Sequence, residues 1–123
     1  MFDDPIAFLP TTDPARAREF YAGTLGLELV DENRFALVFR VGDTMLRVTT
    51  VAAFEPQPFT VLGWQVPDVE EAIRTLTERG VTFARFDGMD QDALGVWTSP
   101  VGGRIAWFKD PDGNTLSVAE LRA

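Results

Sequence analysis

The 123-residue chain contains no histidine and no cysteine. Without histidine it has no ordinary neutral-pH base and no imidazole ligand for a metal. Without cysteine it has no thiolate nucleophile, no thiolate ligand and no disulfide. Carboxylates remain as candidate bases, but Asp13, Asp68, Asp110 and Asp112 stand where helix caps and turns need them, and Glu120 lies near the last strand pattern. A nucleophile, base and orienting group in series cannot be assembled from these types, and neither GxGxxG nor GxxxxGK[ST] occurs. The sequence predicts no catalytic residue.

Binding residues are easier to nominate. Arg47 interrupts the apolar run Met45, Leu46, Val48, and Arg104 follows Gly102-Gly103; either planar guanidinium could clamp a carboxylate, with solvent exposure as the plainer account of both. Trp97 stands beside the loop Ser99-Pro100-Val101-Gly102-Gly103, where an aromatic can serve as a stacking wall, and Trp107 flanks the last hairpin. Gln65 is an amide inside a strand pattern, and Phe8 shares the parity of Ile6, so both are expected to line a cavity if their strands border one. Trp64 has the opposite parity and is assigned to the core. Tyr21, the single tyrosine, is read as a packing residue with a satisfied hydroxyl.

These side chains need a scaffold. Ile6 to Leu9 reads as a strand; Asp13-Pro14 caps and opens a helix carrying Ala17, Phe20, Tyr21 and Leu25, closed by Gly26. Strands follow over 27–30, 35–41 and 44–49. After a two-proline connection the pattern returns: a strand over 59–66, a helix opened by Asp68 and Glu71 as a capping box and closed by Gly80, then a strand over 81–86, a polar loop over 87–92 with a short segment around 95–97, and strands over 104–109 and 115–118. Asp110-Pro111-Asp112-Gly113-Asn114 is the strongest turn signal. The expected fold is α+β: two βαβββ repeats, about 5–50 and 59–120, in a single domain over 1–123, their curved mixed sheets enclosing a cleft.

Lys and Arg total 11 against 19 Asp and Glu, a formal charge of −8. This disfavours nucleic acid and anionic lipid, and makes a cationic or neutral ligand the easier partner. No apolar run approaches a membrane span, and the start lacks the basic region of a signal peptide, so a cytoplasmic protein is expected.

The order of these pieces resembles the vicinal oxygen chelate superfamily, the glyoxalase, bleomycin-resistance and extradiol dioxygenase fold. The resemblance covers about residues 5 to 120. It rests on Asp13 through Arg18-Glu19-Phe20-Tyr21 with Leu25-Gly26-Leu27, on Val66-Pro67-Asp68-Val69 with Gly80-Val81, and on Phe108 through Asn114. It implies that metal-dependent members carry ligands on the first and last strands of the repeats. Those positions align here with Ile6, Val61, Leu46 and Ser117, so only the Ser117 hydroxyl is polar and no metal or other cofactor is expected. The implied reading is a metal-independent, homodimeric protein that binds a small organic molecule, cationic or aromatic, in the manner of bleomycin-resistance sequestration. Phe8, Arg47, Gln65, Trp97, Arg104, Trp107 and Ser117 are its candidate ligand-binding residues. The alternative is an isomerase or lyase of the superfamily working without the usual metal, which would need an acid buried beside Gln65 or Arg47.

Overall fold

The computed structural model describes residues 1–121; the last two residues of the expected 1–123 domain lie outside the described residues. The chain forms two compact units, one of Met1–Pro56 together with Asp110–Asn114, the other of Gln57–Lys109 and the segment from Thr115 onward.

In the first unit β1 (Ile6–Thr11) leads to α1 (Pro14–Arg18), then β2 (Glu28–Glu32), β3 (Ala36–Val41) and β4 (Thr44–Thr50) follow. The sheet order is β1-β4-β3-β2, with β1 parallel to β4 and the other pairs antiparallel. Asp13 caps α1 by accepting from the Arg16 amide, and Pro14 occupies the first turn, where its missing N–H costs nothing. The helix does not end as a plain α-helix at Gly26. It widens into a π-helical turn over Glu19–Thr24, with the Leu25 amide donating to the Phe20 carbonyl. Tyr21, on this turn, is fully buried. Leu9, Leu37, Phe39, Leu46 and Val48 form the core on the helix side, each no more than 1% exposed; such side chains contribute roughly 1.5–3 kcal/mol each through burial.

The turn Asp110–Asn114, expected between the last two strands of the second repeat, belongs to this first unit. Asp110 is buried and accepts from the Tyr21 hydroxyl at 2.6 Å, from the Asp112 and Asn114 amides, and from Asn114 Nδ2. Asn114 Nδ2 also donates to the Pro10 carbonyl. Asp112 accepts from the Thr11 hydroxyl at 2.6 Å and from the Thr12 amide and hydroxyl. The turn is thus stitched to the β1–α1 corner by charge-assisted hydrogen bonds.

In the second unit β5 (Thr60–Gln65), α2 (Val69–Glu78), β6 (Trp97–Thr98), β7 (Arg104–Lys109) and β8 (Thr115–Glu120) form a sheet of order β5-β8-β7-β6. Asp68 caps α2 through the Glu71 amide, and the Glu120 carboxylate accepts from the Val69 amide. Val69 and Ile73 pack with Ala106, Phe108, Leu116 and Val118 as buried core.

The expected strand over 81–86 does not form. One bridge joins Phe83 to Phe108, the Ala84 amide donates to the Trp107 carbonyl, and the chain then leaves the sheet, returning only at β6. Gln91 explains the departure. Its side chain donates to the Ala84 and Gly95 carbonyls and accepts from the Phe86 amide, so an amide side chain takes the place of a neighbouring strand.

Candidate functional site

Side chains alternate across each sheet, so register assigns them to faces. In the second unit Gly63, Ser117 and Trp107 are direct neighbours across β5, β8 and β7. Gln65, Ala119, Ile105 and Trp97 form the next row, and Thr60, Thr115 and Lys109 the row on the other side. These rows occupy the face away from α2. Gly63 is tied to this arrangement, because a Cβ there would collide with Ser117 Oγ.

Trp107 is the centre of an aromatic cluster. Its ring stands edge-on to Phe86 at 5.6 Å and tilted to Trp97 at 6.3 Å between centroids, and its Nε1 donates to Thr60 Oγ1 at 2.9 Å. Beside it a cavity of about 440 Å³ is walled by Phe59, Thr60, Phe86, Met89, Trp107 and Lys109. The Lys109 ammonium donates to Thr115 Oγ1. Phe86 is held at the wall because Gln91 accepts from its amide at 2.7 Å.

In the first unit Phe8, Arg47 and Val38 are cross-strand neighbours on the sheet face opposite Leu9, Leu37 and Val48, next to Ile6, Met45 and Arg40. Phe8 is 62% exposed, whereas Arg47 is half-buried. A second cavity, of about 550 Å³, lies at the end of this sheet and is lined by Asp3, Asp4, Asp43, Arg40, Ile6 and Met45, but by neither Phe8 nor Arg47.

Of the seven sequence-nominated residues, Trp97, Trp107, Ser117 and Gln65 share one face of the second unit, and Phe8 and Arg47 share one face of the first. Gln65 opens onto its own recess with Pro67 and Glu120 rather than onto the aromatic cavity. Arg104 is not gathered with the rest. It alternates with Trp107 onto the α2 side and pairs with Glu70 at 2.8 Å, so its guanidinium is committed to the helix. Sequence reasoning missed Phe59, Phe86, Met89 and Lys109. Lys109 was accessible by parity, two residues beyond Trp107; Phe86 and Met89 were hidden by the expectation of a strand followed by a polar loop.

Register also revises one aligned metal position. Ser117 faces Gly63, and Phe8 holds the place of Gly63 five residues before its own helix cap, so the first-unit equivalent of Ser117 is Arg47, the partner of Phe8. Leu46 points into the core and is 1% exposed. The four positions are therefore Ile6, Arg47, Val61 and Ser117. Two aliphatic groups, a cation and one hydroxyl do not fit a divalent metal. Among the described residues no three His, Cys, Asp or Glu side chains come together as a candidate metal cluster.

The carboxylates most withdrawn from solvent are Asp110 and Asp112, and both are spent on the turn of the first unit. Burial alone would raise the Asp112 carboxyl, but donors from Thr11 and Thr12, with Arg16 nearby, hold it below its ordinary value. Burial, reinforced by the charge and hydrogen bond of Asp110, pushes the Tyr21 hydroxyl far above its ordinary value, so it stays protonated. Glu120, which shares the Gln65 recess, is only half-buried and caps α2.

Two four-stranded sheets, each built as βαβββ, define the glyoxalase-like architecture. The family model of the Glyoxalase/Bleomycin resistance protein/Dioxygenase superfamily matches residues 4–118, and the chain belongs to that superfamily. Among solved structures it is similar to a superfamily member from Sphaerobacter thermophilus, at 29% identity over 98% of both chains with a TM-score of 0.75. It is also similar to TnmS3, an antibiotic binding protein from Streptomyces, at 27% identity over 99% of this chain and 98% of that one, with a TM-score of 0.73. Lactoylglutathione lyase from Agrobacterium tumefaciens shares the fold at 18% identity, over 94% of this chain and 90% of that one, with a TM-score of 0.72. No match is found among curated proteins. The superfamily fold suggests small-molecule binding. The lack of cysteine and of a metal-binding cluster among the described residues is consistent with a non-catalytic or atypical member.

Proposed function

We propose that the protein binds a small aromatic molecule without transforming it, in the manner of drug sequestration, and that the second unit's aromatic cavity receives the ligand. The observation that carries this reading is the wall of Phe59, Phe86 and Trp107 around about 440 Å³, a size and composition suited to a planar ring system. The likeness to an antibiotic binding protein from Streptomyces supports it. The enzymatic alternative needs an acid in an apolar site, and neither Arg47 nor Gln65 has a fully buried carboxylate among its cross-strand neighbours or recess partners. The reading includes a homodimer, supported by Ile6, Phe8 and Met45, which leave apolar surface exposed on one face of the first unit.

Native mass spectrometry of the untreated chain, repeated with a panel of polycyclic aromatic antibiotics, tests the proposal. The expected result is a dimer that gains one unchanged ligand mass per chain, with the gain lost in Trp107→Ala. Conversion of the added compound, or an adduct insensitive to Trp107→Ala, would contradict it.

A further inference from the structure

We propose that the aromatic cavity of the second unit selects a planar aromatic molecule bearing an anionic oxygen, and that Lys109 reads the charge. This rests on the binding reading above and reverses the preference expected from the whole chain, whose formal charge is −8. Charges farther than about 10 Å are largely screened at 0.1 M salt, so groups at the cavity decide. Its lining includes one cation, Lys109, and no carboxylate.

The polar groups there are donors. Thr60, Thr115 and Lys109 are direct neighbours in one cross-strand row. The ammonium uses one of its three N–H groups on Thr115 Oγ1 and keeps two. Thr115, having accepted that bond, keeps an O–H to donate; Thr60, having accepted from Trp107 Nε1, does the same. An ammonium and two hydroxyls beside aromatic walls match an acceptor, best an ionised carboxyl or phenol on a flat ring. The cavity of the first unit has the opposite character, with Asp3, Asp4 and Asp43 around a single Arg40. The two cavities of one acidic chain are therefore of opposite sign, and the aromatic one is the positive one.

Calorimetric titration with 2-naphthoate, 2-naphthamide and 2-naphthylmethylammonium separates charge from stacking. At 0.1 M salt naphthoate is expected to bind about 2- to 5-fold tighter than the amide, as for a partly exposed ion pair, and the ammonium weakest. Lys109→Met should abolish the preference for naphthoate over the amide, and Lys109→Arg should retain it. Equal or tighter binding of the ammonium, or a naphthoate preference that survives Lys109→Met, overturns the charge assignment while leaving aromatic binding in place. If none of the three binds, the cavity reading fails and the charge assignment falls with it.

Discussion

The two units use one hydrogen-bonded plan and differ where side chains leave the plan. Each has a strand parallel to its fourth strand and a helix capped by aspartate, Asp13 in one and Asp68 in the other. The equivalent outer-face pairs are Phe8 with Arg47 and Gly63 with Ser117. The first pair is bulky and charged; the second is nearly bare, and the aromatic mass of its sheet has moved to Trp97 and Trp107. The edges differ as well. β2 runs five residues along β3, whereas its counterpart breaks into a bridge at Phe83 and the two-residue β6, with Gln91 fastening the excursion between them. Breaking that edge is what supplies Phe86 and Met89 to the cavity. A repeated scaffold can thus keep its core constant while one copy gives up ladder hydrogen bonds for a binding wall.

The contrast can be broken most severely at Asp110, which accepts four hydrogen bonds within the first unit. Asp110→Ala strands those donors and is expected to cost about 3–5 kcal/mol in urea unfolding, the range for dismantling a buried network. A loss below about 1 kcal/mol would show that the turn is not what secures the β1–α1 corner. Next is Gly63→Ala, whose new methyl meets Ser117 Oγ; a loss of about 1–3 kcal/mol is expected from overpacking. Ser117→Ala in the same chain should recover part of it, a coupling that a double-mutant cycle reads directly. The smallest effect is the acid limb of stability. Asp112 is held below its ordinary value in the folded protein, so its contribution is complete above the unfolded carboxyl's roughly 3.9 and is lost as pH falls through the lower folded value. Thermal unfolding against pH should therefore be flatter below pH ~4 for Asp112→Asn than for the parent chain.

Much of the scaffold was legible. The capping aspartates, the strand runs other than 81–86 and the Asp-Pro-Asp-Gly-Asn turn each act through local chemistry, and each is found close to where it was expected. The order of elements also brought Trp97, Trp107 and Ser117 to one face by parity alone. Three features were not legible because distant partners decide them. The strand pattern of 81–86 is overridden by Gln91, a residue five to ten positions downstream whose amide satisfies the backbone instead. Tyr21 sits on a π-helical turn and meets Asp110 across 89 positions of sequence, so no local pattern reveals that bond. Arg104 has the residue type of an anion clamp, but its strand parity turns it to Glu70 on α2. Leu46 shows the same lesson in miniature, since a shift of one position along β4 exchanges a core leucine for the outward Arg47.

The central claim is that ligand binds on the aromatic face of the second unit. The three tryptophans make it directly measurable, because Trp97 and Trp107 lie on that face while Trp64 pairs across the sheet with core residue Val118 on the other. Indole N–H resonances of the ¹⁵N-labelled protein, followed during a 2-naphthoate titration, should show saturable shifts of Trp107 and Trp97 with Trp64 nearly still. Saturable shifts centred instead on the amides around Phe8 and Arg47, with the Trp107 indole unmoved, would contradict the account.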